Sequence, residues 1–399
     1  MTSKNEIKTL GELSVDNKGS YGIAASAVEY SEDLYTYLRI SDITDDGRIN
    51  KNDLKSVNER NAEDYLLKPN DIVFARTGGS TGRNYFYDGN DGQFVYAGFL
   101  IKFSIDPQKV NPKYIKYYCQ SKNYRDWVHS FNTGSTRGNI NVQTYSKMPI
   151  LLPPRTQQNV LVKVLSSLDD KIELNNKINQ NLEQQAQAIF NTYISKYSST
   201  KYKVKDVILT ANTGADAIQK APIVDYNTGI RCVRVGDLSN NRNFWQWGFA
   251  KVTNDVFEQY QLKKDDIIVT RTATLGLNRL ITENLSAVYN NGLIRITVDN
   301  NKIFPLLLYR HFQTKDFFNY ISRIESETSV RPNMKINYLL DYEFSYLKLT
   351  EQNELVKILT PLLQTVEINN VENEKLTQLR DTLLPKLMSG EIDVDKVEV

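Results

Sequence analysis

The chain has 399 residues, of which 40% are apolar and 24% charged, so it can bury more than one core and is too apolar to remain disordered. Two cysteines and two histidines exclude a disulfide framework and the usual structural zinc site. The N-terminus lacks a signal-peptide layout, and no apolar run approaches the roughly 20 residues that span a bilayer. We therefore expect a cytoplasmic protein that does not enter a membrane.

The formal net charge of +2 is unevenly distributed along the chain. Residues 67–154 contain 11 Lys and Arg against five Asp and Glu, and residues 197–350 contain 20 against 15. Residues 1–66 and 351–399 each carry a net charge of −5. A nucleic-acid ligand would bind the two basic regions, although ordinary variation in surface charge produces the same pattern.

Residues 1–153 are predicted to form a mixed domain. Short β-branched and aromatic runs at 71–75 and 99–105 predict strands, and a proline near the start of 112–129 predicts a helix. Lys, Arg and aromatic residues alternate in that helix. This alternation is typical of an amphipathic face and also fits a basic-aromatic surface for nucleic acid.

Residues 154–196 are predicted to form a long helix, because glycine is absent and apolar residues recur every seven positions with one asparagine among them. The residues four positions further on repeat this pattern. The predicted seam of this helix is Leu161, Leu168, Asn175, Leu182 and Ile189.

The same succession then recurs at an offset near 195. Strands are predicted at 266–270 and 293–298 and a helix at 304–321, within a second mixed domain at 197–349. A second long helix is predicted at 350–390, with a tail at 391–399, and Pro361 predicts a kink or a late start in that helix. Its seam is Leu355, Leu362, Asn369, Leu376 and Leu383.

The two long helices are expected to pair rather than to lie separately on a surface, because their seams carry the same pattern with asparagine at the centre. The second mixed domain begins a few residues after the first helix and leads directly into the second helix, so the pair must be antiparallel. The predicted fold is α+β, with two pseudo-symmetric domains at opposite ends of a long antiparallel two-helix coiled coil.

Each mixed domain repeats a set of polar residues with binding chemistry. Arg can hold a phosphate or read guanine, Asn can read adenine and a Thr hydroxyl adds a hydrogen bond. An Arg that fixes a turn through backbone carbonyls is an equal alternative. The candidate DNA-binding residues are Arg76, Thr77, Arg83, Arg137 and Asn139 in the first domain and Arg271, Thr272, Arg279, Arg331 and Asn333 in the second.

No catalytic or metal site is predicted. The glycine-rich segment 77–83 lacks the Gly-Lys-Ser/Thr ending of a P-loop, and no Asn/Asp-Pro-Pro-Tyr/Phe methyltransferase motif occurs. His129 and His311 are interpreted as packing or hydrogen-bonding residues. The sequence therefore indicates a protein that binds and does not catalyse.

This duplicated layout resembles the specificity (S) subunit of type I restriction-modification systems. The most specific segments are LLPPRTQQ at 151–158, LDDKI at 168–172 and LRDTLLPKLMSGEI at 379–392. The resemblance implies two target-recognition domains that each read one half of a bipartite, asymmetric double-stranded DNA target, with the helices setting the gap. It implies that two modification subunits bind S-adenosylmethionine and methylate adenine N6, and that restriction subunits use ATP and Mg. This chain would hold no cofactor.

Two other interpretations stay open. One is a pseudo-dimeric coiled-coil adaptor without DNA specificity, which would show no sequence-selective retention of DNA even with partner subunits present. The other is a fragment of a fused methyltransferase-nuclease, which is disfavoured because the chain begins and ends within its own repeat.

Overall fold

A computed structural model describes residues 5–131, 138–197, 200–327 and 332–392. The chain divides into two compact units: unit 1 comprises residues 1–172 and 375–399, and unit 2 comprises residues 173–374. Each unit contains one mixed region and part of each long helix. Within the described ranges, no helix combines the length and the hydropathy needed to cross a membrane.

Unit 1 contains two four-stranded sheets, with strand orders β2-β9-β6-β7 and β3-β5-β4-β8, and a two-stranded pair, β1-β10. Only β4 and β8 pair in parallel among the described strands of this unit. The strands are β1 (Glu6–Thr9), β2 (Ser20–Tyr21), β3 (Val28–Glu29), β4 (Tyr35–Leu38), β5 (Lys55–Val57), β6 (Asp71–Ala75), β7 (Asn84–Tyr87), β8 (Phe94–Tyr96), β9 (Leu100–Ser104) and β10 (Pro149–Leu152). The helices are α1 (Pro112–Tyr118), α2 (Lys122–His129), α3 (Val142–Ser146) and the first part of α4 (Arg155–Tyr197).

Unit 2 repeats this topology strand for strand, with the orders β12-β19-β16-β17, β13-β15-β14-β18 and β11-β20. Its parallel pair, β14 and β18, stands where β4 and β8 stand in unit 1. The strands are β11 (Thr200–Lys203), β12 (Ile208–Thr213), β13 (Ile223–Val224), β14 (Arg231–Val233), β15 (Gly248–Ala250), β16 (Asp266–Thr270), β17 (Asn278–Leu280), β18 (Ala287–Tyr289), β19 (Leu293–Val298) and β20 (Glu343–Tyr346). The helices are the second part of α4, α5 (Val235–Ser239), α6 (Asn254–Tyr260), α7 (Pro305–His311), α8 (Lys315–Glu327), α9 (Ile336–Leu340) and the first part of α10 (Leu349–Ser389), whose last part belongs to unit 1. The α+β class and the internal duplication are confirmed.

The strands that the sequence predicts most accurately are the central ones. β6 and β16 are buried at every position, so both appear in the sequence as short continuous apolar runs bounded by polar residues. The predicted helices at 112–129 and 304–321 are each interrupted. Ser121 caps α2 by accepting the N–H of Tyr124, and Thr314 accepts the N–H of Phe317 in α8. At both places a hydroxyl accepts an otherwise unpaired N–H of the first helical turn, so a new helix begins there.

The long helices α4 and α10 are both continuous. α10 begins at Leu349 and passes through Pro361 without a break, so the prediction of a late start is wrong. Pro361 and Lys357 are both exposed, so the hydrogen bond that proline cannot donate is lost on the solvent side of the helix. Each of the ten predicted seam residues is buried or half-buried.

In unit 2 the long helices meet through a layer of asparagines. The Nδ2 of Asn175 donates to the Oδ1 of Asn373 at 2.9 Å and to Glu372 at 2.7 Å. One turn later on α4, Asn179 accepts from the Nδ2 of Asn369 at 2.8 Å. The residue numbers rise on α4 as they fall on α10, which confirms the antiparallel pairing.

In unit 1 the long helices are joined to α1 by a partly buried carboxylate. Asp169 on α4 lies 3.0 Å from the Nζ of Lys116, 3.0 Å from the guanidinium of Arg380 on α10, and 2.9 Å from the hydroxyl of Tyr117. Burial alone would raise the pKa of Asp169, but the two cations hold that pKa below its usual value. Burial and Asp169 raise the pKa of Tyr117, so its phenol stays protonated and donates.

We predict that Asp169→Asn lowers the free energy of unfolding at pH 7 by about 2–4 kcal/mol, because it leaves Lys116 without a carboxylate and leaves Arg380 with Asp381 alone. Since the folded-state pKa of Asp169 is depressed, its contribution is complete above the unfolded pKa of about 4 and is lost as the pH falls through the folded value. Urea unfolding at several pH values measures this. A stability difference between wild type and variant that stayed constant down to pH 2 would contradict it.

Candidate nucleic-acid interface

The candidate residues of unit 1 lie where the central strand β6 ends. The N–H of Arg76 donates to the carbonyl of Phe99 at 3.1 Å, and the carbonyl of Arg76 accepts the N–H of Ile140 at 2.9 Å. Thr77 forms an isolated antiparallel bridge with Asn139. The structure therefore brings together two segments that are about 60 residues apart in the sequence, with Asn139 exposed beside them.

Unit 2 has the same arrangement after β16. We call this arrangement, in which an Arg-Thr segment is bridged to a distant asparagine, the frame. The N–H of Arg271 donates to the carbonyl of Gly292 at 2.9 Å, and its carbonyl accepts the N–H of Met334 at 2.8 Å. Thr272 forms the matching bridge with the exposed Asn333. Two Arg-Thr segments with the same spacing thus occupy the same backbone position in two copies of one fold.

The guanidinium groups of these two arginines differ in their partners. Arg76 lies over the ring of Tyr21, 5.1 Å from its centre, and makes no side-chain hydrogen bond to the described residues. Arg271 donates from Nε to the carbonyl of Met334 and from a terminal nitrogen to the carbonyl of Asn291, both at 3.1 Å. Arg271 therefore fixes two loops of unit 2, whereas Arg76 is oriented by stacking alone.

Arg83 stabilises the loop that follows β4, and Arg279 stabilises the loop that follows β14. Arg83 pairs with Asp45 at 2.7 Å and donates to the carbonyl of Ile43 at 3.2 Å. Arg279 donates to the carbonyl of Arg242 at 2.6 Å and lies over Trp247, and burial lowers its pKa from the ordinary value. These contacts correspond to the turn-fixing alternative.

Arg279 lies within β17, opposite Ile268, and not in the loop that precedes this strand. The corresponding residue of unit 1 is Tyr85, which lies opposite Val73. The glycine-poor loop of unit 2 nevertheless matches that of unit 1. Both loops end at a glycine with positive φ: Gly82, at 89°, packs against Val128 of α2, and Gly276, at 79°, packs against Ile321 of α8.

Arg137 and Arg331 lie outside the described residues. The basic-aromatic helix is an amphipathic structural element: Tyr114 and Tyr117 of α1 and Tyr124 of α2 are buried. His311 is also structural, since it packs between Phe190 and Phe344 and burial lowers its pKa to about 3, which leaves it neutral. His129 is exposed.

Two residues that the sequence did not indicate border the frame of unit 1. Phe99 and Tyr21 are large side chains with 58% and 39% exposure, and both contact Arg76. Gly292 and Thr213 take their places in unit 2, as the pairing of β2 and β12 with β9 and β19 shows. The sequence does not reveal an exposed aromatic residue at the start of a strand, because it contributes to the hydrophobic pattern in the same way as a buried aromatic residue.

This arrangement defines a class of protein in which one scaffold occurs twice, with different side chains around the equivalent Arg-Thr segments. The sequence matches, over residues 3–184 and again over 199–378, the family described as the type I restriction modification DNA specificity domain. The chain therefore belongs to this family, and the resemblance to type I specificity subunits is confirmed.

The relatives agree with this assignment. The chain is 21% identical to the HindI specificity subunit of Haemophilus influenzae, across 82% of this chain and 87% of that protein. It is 22% identical to the StySPI specificity subunit of Salmonella potsdam, across 92% and 84%. The solved S subunit from M. genitalium shares the fold, with a TM-score of 0.52 and 16% identity over 96% of both chains.

We predict that Arg271→Gln lowers the free energy of unfolding by about 1–3 kcal/mol, because it removes charged hydrogen bonds to two carbonyls. Arg76→Gln should cost no more than about 1 kcal/mol, since it removes one stacking contact. Urea unfolding monitored by circular dichroism compares the two variants. Equal losses, or a larger loss for Arg76→Gln, would contradict the roles assigned to these guanidinium groups.

Proposed function

We propose that this chain is the DNA-reading subunit of a type I restriction-modification complex, and that each unit reads one half of a bipartite, asymmetric target. The observation that carries the proposal is the repeated frame with different side chains around it. In unit 1 the frame combines a stacked Arg with two exposed aromatic residues, and in unit 2 it combines a clamped Arg with glycine and threonine. Different side chains in one frame favour different bases.

The chain itself performs no chemistry in this proposal. Modification subunits bind S-adenosylmethionine and methylate adenine N6, and restriction subunits use ATP and Mg²⁺ in the cytoplasm. Membership of the specificity-domain family supports this division of labour. The adaptor alternative differs in one respect, since it predicts no selective retention of any DNA sequence.

An apolar surface on the long helices supports the docking of a modification subunit. In unit 2, Leu174 and Ile178 of α4 and Ile368 of α10 are exposed by 52%, 38% and 67%. Leu174 and Ile178 are one turn apart on one face of α4. Ile178 and Ile368 each precede an asparagine of the contacting pair Asn179–Asn369, so both lie on the same side of the antiparallel pair.

The opposite side of this helix pair is occupied within unit 2. Glu183 of α4 forms an ion pair with Arg310 of α7, and Phe190 packs against His311. The strip formed by Leu174, Ile178 and Ile368 is therefore the open side, and an amphipathic helix of the partner would cover it.

The proposal is tested by co-expressing the chain with a modification subunit and mapping methylated adenines in genomic DNA. We expect two short sequences of different composition, separated by a fixed gap. Methylation of one contiguous or palindromic sequence would contradict the two-half reading. Methyl transfer by the isolated chain would contradict the non-catalytic role.

Docking is tested by Ile368→Asp, which places a charge on the strip at a position that is already exposed. We expect loss of co-purification with the modification subunit and an unchanged melting temperature. The matched control is Leu209→Asp, since Leu209 of β12 is 64% exposed and lies off the helices. Equal retention of the partner by both variants would remove the strip from the interface.

A further inference from the structure

We propose that Arg234 in unit 2 contacts a phosphate of the bound DNA, whereas the corresponding Arg39 of unit 1 does not. The inference rests on the proposed function and adds a contact outside the repeated Arg-Thr frame. The two units would therefore differ physically, because only unit 2 would hold the DNA backbone through an arginine at this position.

Arg39 and Arg234 occupy the same backbone position. Arg39 follows β4, and its N–H donates to the carboxylate of Asp42 at 2.8 Å. Arg234 follows β14, and its N–H donates to the carboxylate of Asp237 at 2.9 Å. The chain therefore makes the same turn in both units, closed by an aspartate three residues later.

The two guanidinium groups differ in charge compensation. Arg39 is paired with Asp42 through Nε at 3.0 Å and a terminal nitrogen at 2.7 Å, and it reaches Asp53 at 3.5 Å. In unit 2 the carboxylate of Asp237 pairs with Arg242 instead, at 3.3 Å. Among the described residues, no carboxylate forms an ion pair with Arg234.

The Nε of Arg234 is buried without a hydrogen-bond partner in the described part of the chain. Arg234 interacts with the buried Cys232. The thiol pKa of Cys232 is raised to about 11, because burial raises it by more than the Arg234 charge lowers it. A neutral thiol does not compensate a guanidinium, so Arg234 presents an unneutralised cation. A planar guanidinium fork matches the oxygens of a phosphate.

The segment that contains Arg234 lies next to the Arg271–Thr272 frame of unit 2. The Cγ2 of the next residue, Val235, and the Oγ1 of Thr272 both lie within 2.8 Å of the point where a Cβ on Gly292 would stand. Gly292 also accepts the N–H of Arg271. Val235, the residue after Arg234, is thus packed against the Arg271–Thr272 segment at Gly292.

The surrounding charges reinforce the difference. In unit 1 the cations around the corresponding loop are all paired with aspartates: Arg48 with Asp46, Lys51 with Asp91 and Arg83 with Asp45. In unit 2 the exposed residues that follow α5 are Asn240, Asn241 and Arg242, and the aspartate that pairs with Arg242, Asp237, is buried. A DNA backbone would meet carboxylates at the first loop and uncharged or basic side chains at the second.

The test measures the salt dependence of DNA binding by the chain assembled with its modification subunits, on DNA that contains the mapped target. Arg234→Gln should weaken binding about fivefold on target and non-target DNA alike, and should lower the slope of log K against log salt by about one. Arg39→Gln is the matched control and should keep the wild-type slope. An unchanged slope for Arg234→Gln, or an equal reduction for Arg39→Gln, would overturn the inference.

A second pair of variants covers the case in which Arg234→Gln does not fold. Gly236 has open space around the position of an added Cβ, so Gly236→Asp and Gly236→Asn should both fold. The aspartate would compensate Arg234, and we expect it to weaken DNA binding several-fold relative to the asparagine. Equal binding would overturn the inference. Failure of the wild-type complex to retain its target would instead refute the proposed function itself.

Discussion

Each mixed region of this protein depends on the long helices to complete its hydrophobic core. In unit 1, Leu161 and Leu165 of α4 share one buried cluster with Leu384 and Leu387 of α10. In unit 2, Phe190 of α4 shares a cluster with residues of α10 in the same way. Apolar surface that strands and short helices leave open is removed from water by helix faces. The core of unit 1 therefore includes residues more than 200 positions away in the sequence.

Polar contacts at the centre of the pair define how the helices align. The asparagine layer of unit 2 leaves the Oδ1 of Asn175 buried without a hydrogen-bond partner in the described residues, which costs roughly 1–3 kcal/mol. A leucine pair would avoid that cost. It would also permit a slip by one heptad, whereas the bond from Asn175 to Asn373 forms in a single register. Stability is lost here and alignment is gained.

The Arg-Thr segments that follow β6 and β16 have the same backbone geometry and different neighbouring side chains. The bridges Thr77–Asn139 and Thr272–Asn333 repeat the same geometry, and both involve segments outside the named strands. The carbonyls of Phe99 and Gly292 accept the equivalent N–H groups of Arg76 and Arg271, although Phe99 carries a phenyl ring and Gly292 has no side chain. Because these contacts are main-chain hydrogen bonds, they recur in both units although the neighbouring side chains differ.

The sequence by itself determined the duplication, the two long helices, the central strands and the family, because these features depend on local periodicity and on motifs that are contiguous in the chain. It did not determine which arginines are free to bind a ligand. Arg271 is held by Met334, 63 residues further on, and Arg83 is held by Asp45, 38 residues earlier. A guanidinium forms hydrogen bonds with any carboxylate or carbonyl that lies about 3 Å away. Only the tertiary structure determines which of these groups is close, because it brings distant segments together.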